Sequence, residues 1–136
     1  MANWIGSART NYFRVKDVEA FKTWAAAASL VVFERDGRHG VHSEDEYGGW
    51  PEIVFDDVST DAHRAFDIAH ELAQHVADGE IVVCVEAGAE KLRYITGKAI
   101  AFRASTDGPE TIAITLDDIY DLAAQKWGER PSAAEY

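Results

Sequence analysis

At 136 residues, 47% apolar and 27% charged, the chain has the size and composition of one folded domain, and its four Trp, five Tyr and six Phe exclude a disordered polymer. Its 24 acidic against 13 basic side chains give a formal net charge of −11, which works against direct binding to DNA or RNA phosphates. A single cysteine, Cys84, excludes an intramolecular disulfide and a thiolate zinc cluster.

The start of the chain has no basic stretch followed by an apolar run, and no window nears the ~18 apolar residues of a membrane span, so a soluble cytoplasmic protein is expected. In chain order, Asn11 to Val15 alternate in the manner of a short strand. Asp17 is a helix cap, and Val18, Phe21, Trp24, Ala25 and Ala28 fall at helical spacing behind it, which predicts a helix over 17–28. Leu30 to Glu34 read as a strand, and Asp36-Gly37 is a turn signal that doubles the chain back through Arg38 to His42. Gly48-Gly49-Trp50-Pro51 breaks regular structure, after which Ile53-Val54-Phe55 returns as a strand.

Ser59, Thr60 and Asp61 are each good caps, and Ala62, Ala65, Phe66, Ala69, Leu72, Ala73 and Val76 repeat at three- and four-residue steps. This predicts a long helix ending near Gly79, with His63, Arg64, Asp67, His70, Glu71, Gln74, His75 and Asp78 on a water-facing side. Ile81 to Val85 is the continuous apolar run of a strand covered on both sides or sitting centrally in a sheet. A turn is expected at Gly88-Ala89-Glu90, then strands over Leu92–Thr96, Ala99–Ala104 and Thr111–Ile114, with Gly97 marking a bulge or bend. Thr115 is expected to cap a last helix with apolar positions Leu116, Ile119, Leu122, Ala123 and Trp127, ended by Gly128, and residues 129–136 to form a frayed tail. The order predicts a single α+β domain over 1–136, a mainly antiparallel sheet with helices on one face. A ferredoxin-like βαββαβ variant with C-terminal strands and a helix is the specific topology expected.

The chemistry-bearing residues point away from catalysis. His70 and His75 are five apart, about 140° around a helix, whereas the zinc-protease pattern needs four. His39, His42 and Glu44 are a possible metal trio only if a strand aligns them. Cys84 sits among valines, where a buried inert thiol is expected, and the chain has no nucleophile elbow, Walker loop or dinucleotide fingerprint. Neither a cofactor nor an enzymatic activity is therefore expected. Arg9, Tyr12, Phe13 and Arg14, with Lys91, Arg93 and Tyr94, form a candidate positive island for RNA.

The stretch from Glu44 to Asp61 holds seven carboxylates, Glu44, Asp45, Glu46, Glu52, Asp56, Asp57 and Asp61, and no Lys or Arg. Tyr47, Trp50 and Phe55 are interleaved with them, as the apolar anchors of protein interfaces often are. Carboxylates spaced along a loop and strand imitate a nucleic-acid backbone and attract a basic cleft that normally holds phosphates. The partner-binding candidates are accordingly Glu44, Asp45, Glu46, Tyr47, Trp50, Glu52, Asp56, Asp57 and Asp61, facing a basic protein or nucleoprotein complex rather than DNA or a membrane.

Two segments, Ala8-Arg9-Thr10-Asn11-Tyr12-Phe13-Arg14-Val15-Lys16-Asp17 and Glu90-Lys91-Leu92-Arg93-Tyr94-Ile95-Thr96-Gly97-Lys98-Ala99, resemble parts of small acidic proteins carried by phages, plasmids and integrative elements. The resemblance implies a setting of anti-CRISPR or anti-restriction inhibitors that occupy nucleic-acid-binding surfaces, and carries no functional residue with it. The expected function is a non-catalytic inhibitor of a basic nucleic-acid-handling partner such as a CRISPR effector complex. Alternatives are an immunity protein neutralising a basic nuclease toxin, or a small RNA-binding or metal-binding domain.

Overall fold

The computed structural model describes residues 4–44, 48–51, 53–57, 62–90 and 94–134. Their elements run β1 (Trp4–Thr10), α1 (Val18–Ala27), β2 (Leu30–Arg35), β3 (Arg38–Ser43), β4 (Ile53–Asp57), β5 (Ala62–Ala65), α2 (Ile68–Ala73), β6 (Ile81–Glu90), β7 (Tyr94–Arg103), β8 (Glu110–Thr115) and α3 (Asp118–Trp127). Six strands form one sheet in the order β2-β3-β1-β6-β7-β8, every pairing antiparallel, and β4 and β5 form a separate two-stranded sheet. The chain is thus α+β with a mainly antiparallel sheet. This strand order does not confirm the ferredoxin-like arrangement, because β1 lies between the β2-β3 hairpin and β6.

Several local expectations match. Asp17 caps α1, its Oδ1 accepting the Ala20 amide at 3.1 Å. Asp36 and Gly37 both take positive φ, 52° and 78°, as a two-residue hairpin turn between Arg35 and Arg38 requires. Gly128 ends α3 in the left-handed conformation.

The long helix is corrected. Residues 62–65 pair as β5 with β4, and α2 begins only after Asp67, an extended residue whose Oδ1 accepts the His70 amide at 3.1 Å. Alanines at 62, 65, 69 and 73 satisfy a helical period, but a partner strand outcompetes it over the first four residues. The strand over 11–15 is also corrected, since only the single bridges Phe13↔His39 and Val15↔Val76 occur there. Asn11 takes the chain out of β1 by spending its side chain on β6: Nδ2 donates to Ile81 O at 3.1 Å and Oδ1 accepts from Val83 N at 2.8 Å. The turn expected at 88–90 is absent, because β6 runs straight through it opposite Gly6, Ile5 and Trp4. Likewise β7 passes unbroken through Gly97. Thr115 does not cap the last helix: the N-cap position is Asp117, whose side chain makes no capping bond, and Thr115 N donates to Asp118 Oδ2.

The sheet faces differ. On the first face α1 and α2 deliver Phe21, Ala25, Ile68 and Leu72 onto Leu30, Val41, Val82, Cys84 and Phe102, a core whose large side chains are each worth about 1.5–3 kcal/mol on burial. On the second face Phe33 folds over Gly40, where a Cβ would meet its ring at 2.3 Å, and Leu116 lies over Gly97. The last helix therefore leaves the sheet from the face opposite α1 and α2. Residues 129–134 return to it, with Arg130 bonded to Asp121 and Ala134 N donating to Tyr120 Oη at 2.7 Å.

Candidate functional site

The acidic stretch leaves the sheet where β3 parts from β1. Beyond the Arg9↔His42 pair the two strands no longer share register, and Gly48 occupies the space beside Gly6. Three contacts fix that position. Ser43 Oγ donates to Gly49 O at 2.6 Å, closing the base of the 44–48 connection. Gly48, at φ +86°, presses on β1 so closely that a Cβ would stand 1.5 Å from Gly6 O. Trp50 N donates to Glu86 Oε2 at 2.6 Å, and Glu86 is opposed across β6 and β7 by Lys98, whose Nζ lies 3.5 Å from Oε1.

Glu86 is the residue that sequence reasoning missed. Its side chain is only 15% exposed, and it anchors an acidic segment 36 positions earlier in the chain through a charge-assisted bond. The one signal was a carboxylate closing the apolar run 81–85, which reads equally as the end of a strand.

Of the nine partner-binding candidates, Glu44 is exposed just past β3. Asp56 and Asp57 lie at the end of β4, beside a register shift between Phe55 and Asp57. Asp45, Glu46, Tyr47, Glu52 and Asp61 lie outside the described residues. Trp50 is half-buried and packs on the core, and its remaining surface lines an open cavity of about 420 Å³ with Phe66, Cys84, Lys98 and Ile100.

The metal trio does not assemble. His39 and His42 are three apart on β3 and so point to opposite faces. His39 is buried edge-on to Phe21, with Glu34 Oε2 3.7 Å from Nε2, while His42 stacks on Phe33. Among the described residues no group of three His, Cys, Asp or Glu side chains is placed to hold a metal ion. His63 lies in β5 and His70 in α2, so the imidazoles expected along one helix are dispersed. Two members of the expected water-facing side turn inward. Glu71 is buried and accepts Trp24 Nε1 at 3.3 Å, and His75 lies 5.1 Å from the Trp24 ring.

Burial pushes the Cys84 thiol up to about 12, with the Asp67 carboxylate adding to the shift, so at neutral pH it is a protonated apolar group. The RNA island is also split. Phe13 is core, and Arg9 stands over the Phe33 ring at 4.7 Å with Tyr12 edge-on to the same ring. Arg14 and Tyr94 are exposed, and Lys91 and Arg93 lie outside the described residues. No helix among the described residues is long and apolar enough to cross a membrane.

No family model, curated protein or solved structure matches the chain. The reading of its site therefore rests on geometry and charge.

Proposed function

We propose that the protein is a non-catalytic binding protein that engages a basic nucleic-acid-handling partner through the acidic stretch from Glu44 to Asp61, in the manner of an anti-CRISPR inhibitor acting on a CRISPR effector complex. The observation that carries this reading is the concentration of seven carboxylates without one Lys or Arg between Glu44 and Asp61, a stretch whose described residues Gly49 and Trp50 are bonded to Ser43 and Glu86. Anchors at Gly49 and Trp50 reduce the freedom that the chain there loses on binding, so more of the Coulomb attraction remains as affinity. The partner is expected to offer a groove lined by Arg and Lys that otherwise holds phosphates, and the protein would occupy it as a competitor.

Binding of the purified protein to guide-loaded CRISPR effector complexes by biolayer interferometry tests the reading. Joint substitution of Glu44, Asp45, Glu46, Asp56 and Asp57 by Ser is expected to weaken association about tenfold or more, and added salt to weaken the parent protein in parallel. Binding that ignores both the substitutions and the salt overturns the acidic-surface mechanism. Binding to a basic nuclease toxin instead, with the same dependence, would transfer the mechanism to an immunity protein.

A further inference from the structure

The β8 edge and the helix that follows it form a second surface, remote in character from the acidic stretch. All six residues of β8 are exposed, and among the described residues no strand pairs with its outer side. An edge strand of this length normally carries a Lys, a Pro or a bulge that blocks pairing with another chain. Between Glu110 and Thr115 there is neither Lys, Arg nor Pro, and the pairing with β7 proceeds without a bulge. Ile112 is 75% exposed and Ile114 64% exposed, both pointing to the face where Leu116 lies over Gly97.

Helix α3 continues this surface. Its apolar stripe, Ile119, Leu122 and Trp127, is exposed, and Ala123 is the only residue that the helix buries. Amphipathic helices hold their shape by burying such a stripe, and among the described residues nothing covers this one.

We propose that the chain forms a two-fold symmetric homodimer in which β8 pairs antiparallel with the β8 of a second copy and the two α3 helices pack stripe to stripe. Three features favour a second copy over another occupant. An antiparallel edge is self-complementary about a two-fold axis, so one surface serves both sides and closes without leaving an open end. The exposed parts of Ile112, Ile114, Leu116, Ile119, Leu122 and Trp127 amount to an area on the order of 700 Å² per copy, above a typical monomer's apolar patch and close to the ~800 Å² each partner gives to a stable interface. The helix is also charge-complementary to its own reverse. Asp117 and Asp118 stand at its N-terminus and Lys126 in its last turn, so antiparallel copies bring acid to base at both ends.

This inference is independent of the acidic-surface reading, and salt separates the two. Each copy carries a formal charge of −11, so the copies repel at long range and screening should tighten the dimer, whereas it loosens binding to a basic partner. Sedimentation equilibrium of the full chain at about 100 µM is expected to give twice the 15.0 kDa chain mass, with dissociation falling as salt is added. Ile114→Lys and Leu122→Asp, both at exposed positions, are each expected to yield monomers with an unchanged far-ultraviolet spectrum. In the parent protein, amide exchange over 110–116 should slow as concentration rises. A mass of 15.0 kDa at low and high salt, exchange over 110–116 that ignores concentration, or a dimer that survives both substitutions overturns the proposal. A monomer that instead binds a different macromolecule through this face overturns it equally.

Discussion

The six-stranded sheet ends in two edges of opposite construction. At the β2 edge Leu30 is buried beneath α1, Val32 is half-buried against the core, and the strand closes on the charged pair Glu34-Arg35. At the β8 edge no residue is buried, two isoleucines face water, and the helix that follows covers almost nothing. The β2 edge has therefore spent its apolar residues on the fold, and the β8 edge has kept them for contact. A lone domain gains nothing from exposed isoleucines. Ile5, Ile81 and Ile95 are exposed on other strands too, but among the described residues only at β8 do such isoleucines lie on an unpaired edge and run into an exposed helix stripe, which marks that edge as an interface. The described anchors of the acidic stretch lie between the two edges, Gly48 on β1 and Trp50 on Glu86 of β6.

The largest effect that would break this comparison lies in the core. Phe21→Ala, which removes a ring with no exposure at all, is expected to cost about 3–5 kcal/mol in urea unfolding, whereas Ile112→Ala should stay within about 0.5 kcal/mol when measured on the monomer. Equal losses would mean that the β8 half contributes to the fold as much as the α1 half does. Next in size is Gly48→Ala. With φ at +86° and Gly6 O in the way, the added methyl should cost more than about 1 kcal/mol in the same experiment and, by displacing the connection, weaken binding to a basic partner. Smaller again is Glu86→Gln, which keeps an acceptor for Trp50 N and loses the charge opposite Lys98. Removing that pair, half of it in solvent, should cost about 1 kcal/mol or less.

Legibility followed the source of each element's stability. The α1 helix and the β2-β3 hairpin were readable because their signals are local: an Asp cap with an apolar stripe, and an Asp-Gly pair between two runs. The α+β class was readable for the same reason. What was not readable depended on distant partners. Ala62–Ala65 is a strand only because β4 lies beside it, and β6 continues through Ala87-Gly88-Ala89 because Ser7, Gly6 and Ile5 of β1 pair opposite. The concentration of charge in the candidate site was visible at once, but its anchoring was not, since Ser43–Gly49 and Trp50–Glu86 are side-chain to backbone bonds with no periodic signature. His75 and Glu71 show the reverse error. Both are polar and read as water-facing in a helical pattern, yet Trp24 draws them inward.

That inward turn of His75 gives the smallest of the expected effects, and one confined to pH. Burial against Trp24 and Phe21 lowers its pKa, the Glu71 carboxylate works against that shift, and Lys16 adds to it. The native state thus takes up this proton at lower pH than the unfolded chain, whose imidazole titrates near the ordinary 6.5. Where the unfolded state binds more protons, stability rises with pH. The contribution of His75 is therefore fully present above about pH 6.5 and is lost as the pH falls from there through its native value. Urea midpoints of the parent and of His75→Gln, followed from about pH 7.5 down to about pH 5, should diverge in slope just below neutrality, with the parent falling faster. Parallel curves would mean that His75 is as free to charge in the folded protein as in the unfolded chain, and that α1 and the segment after α2 pack less closely than the covered half of the sheet requires.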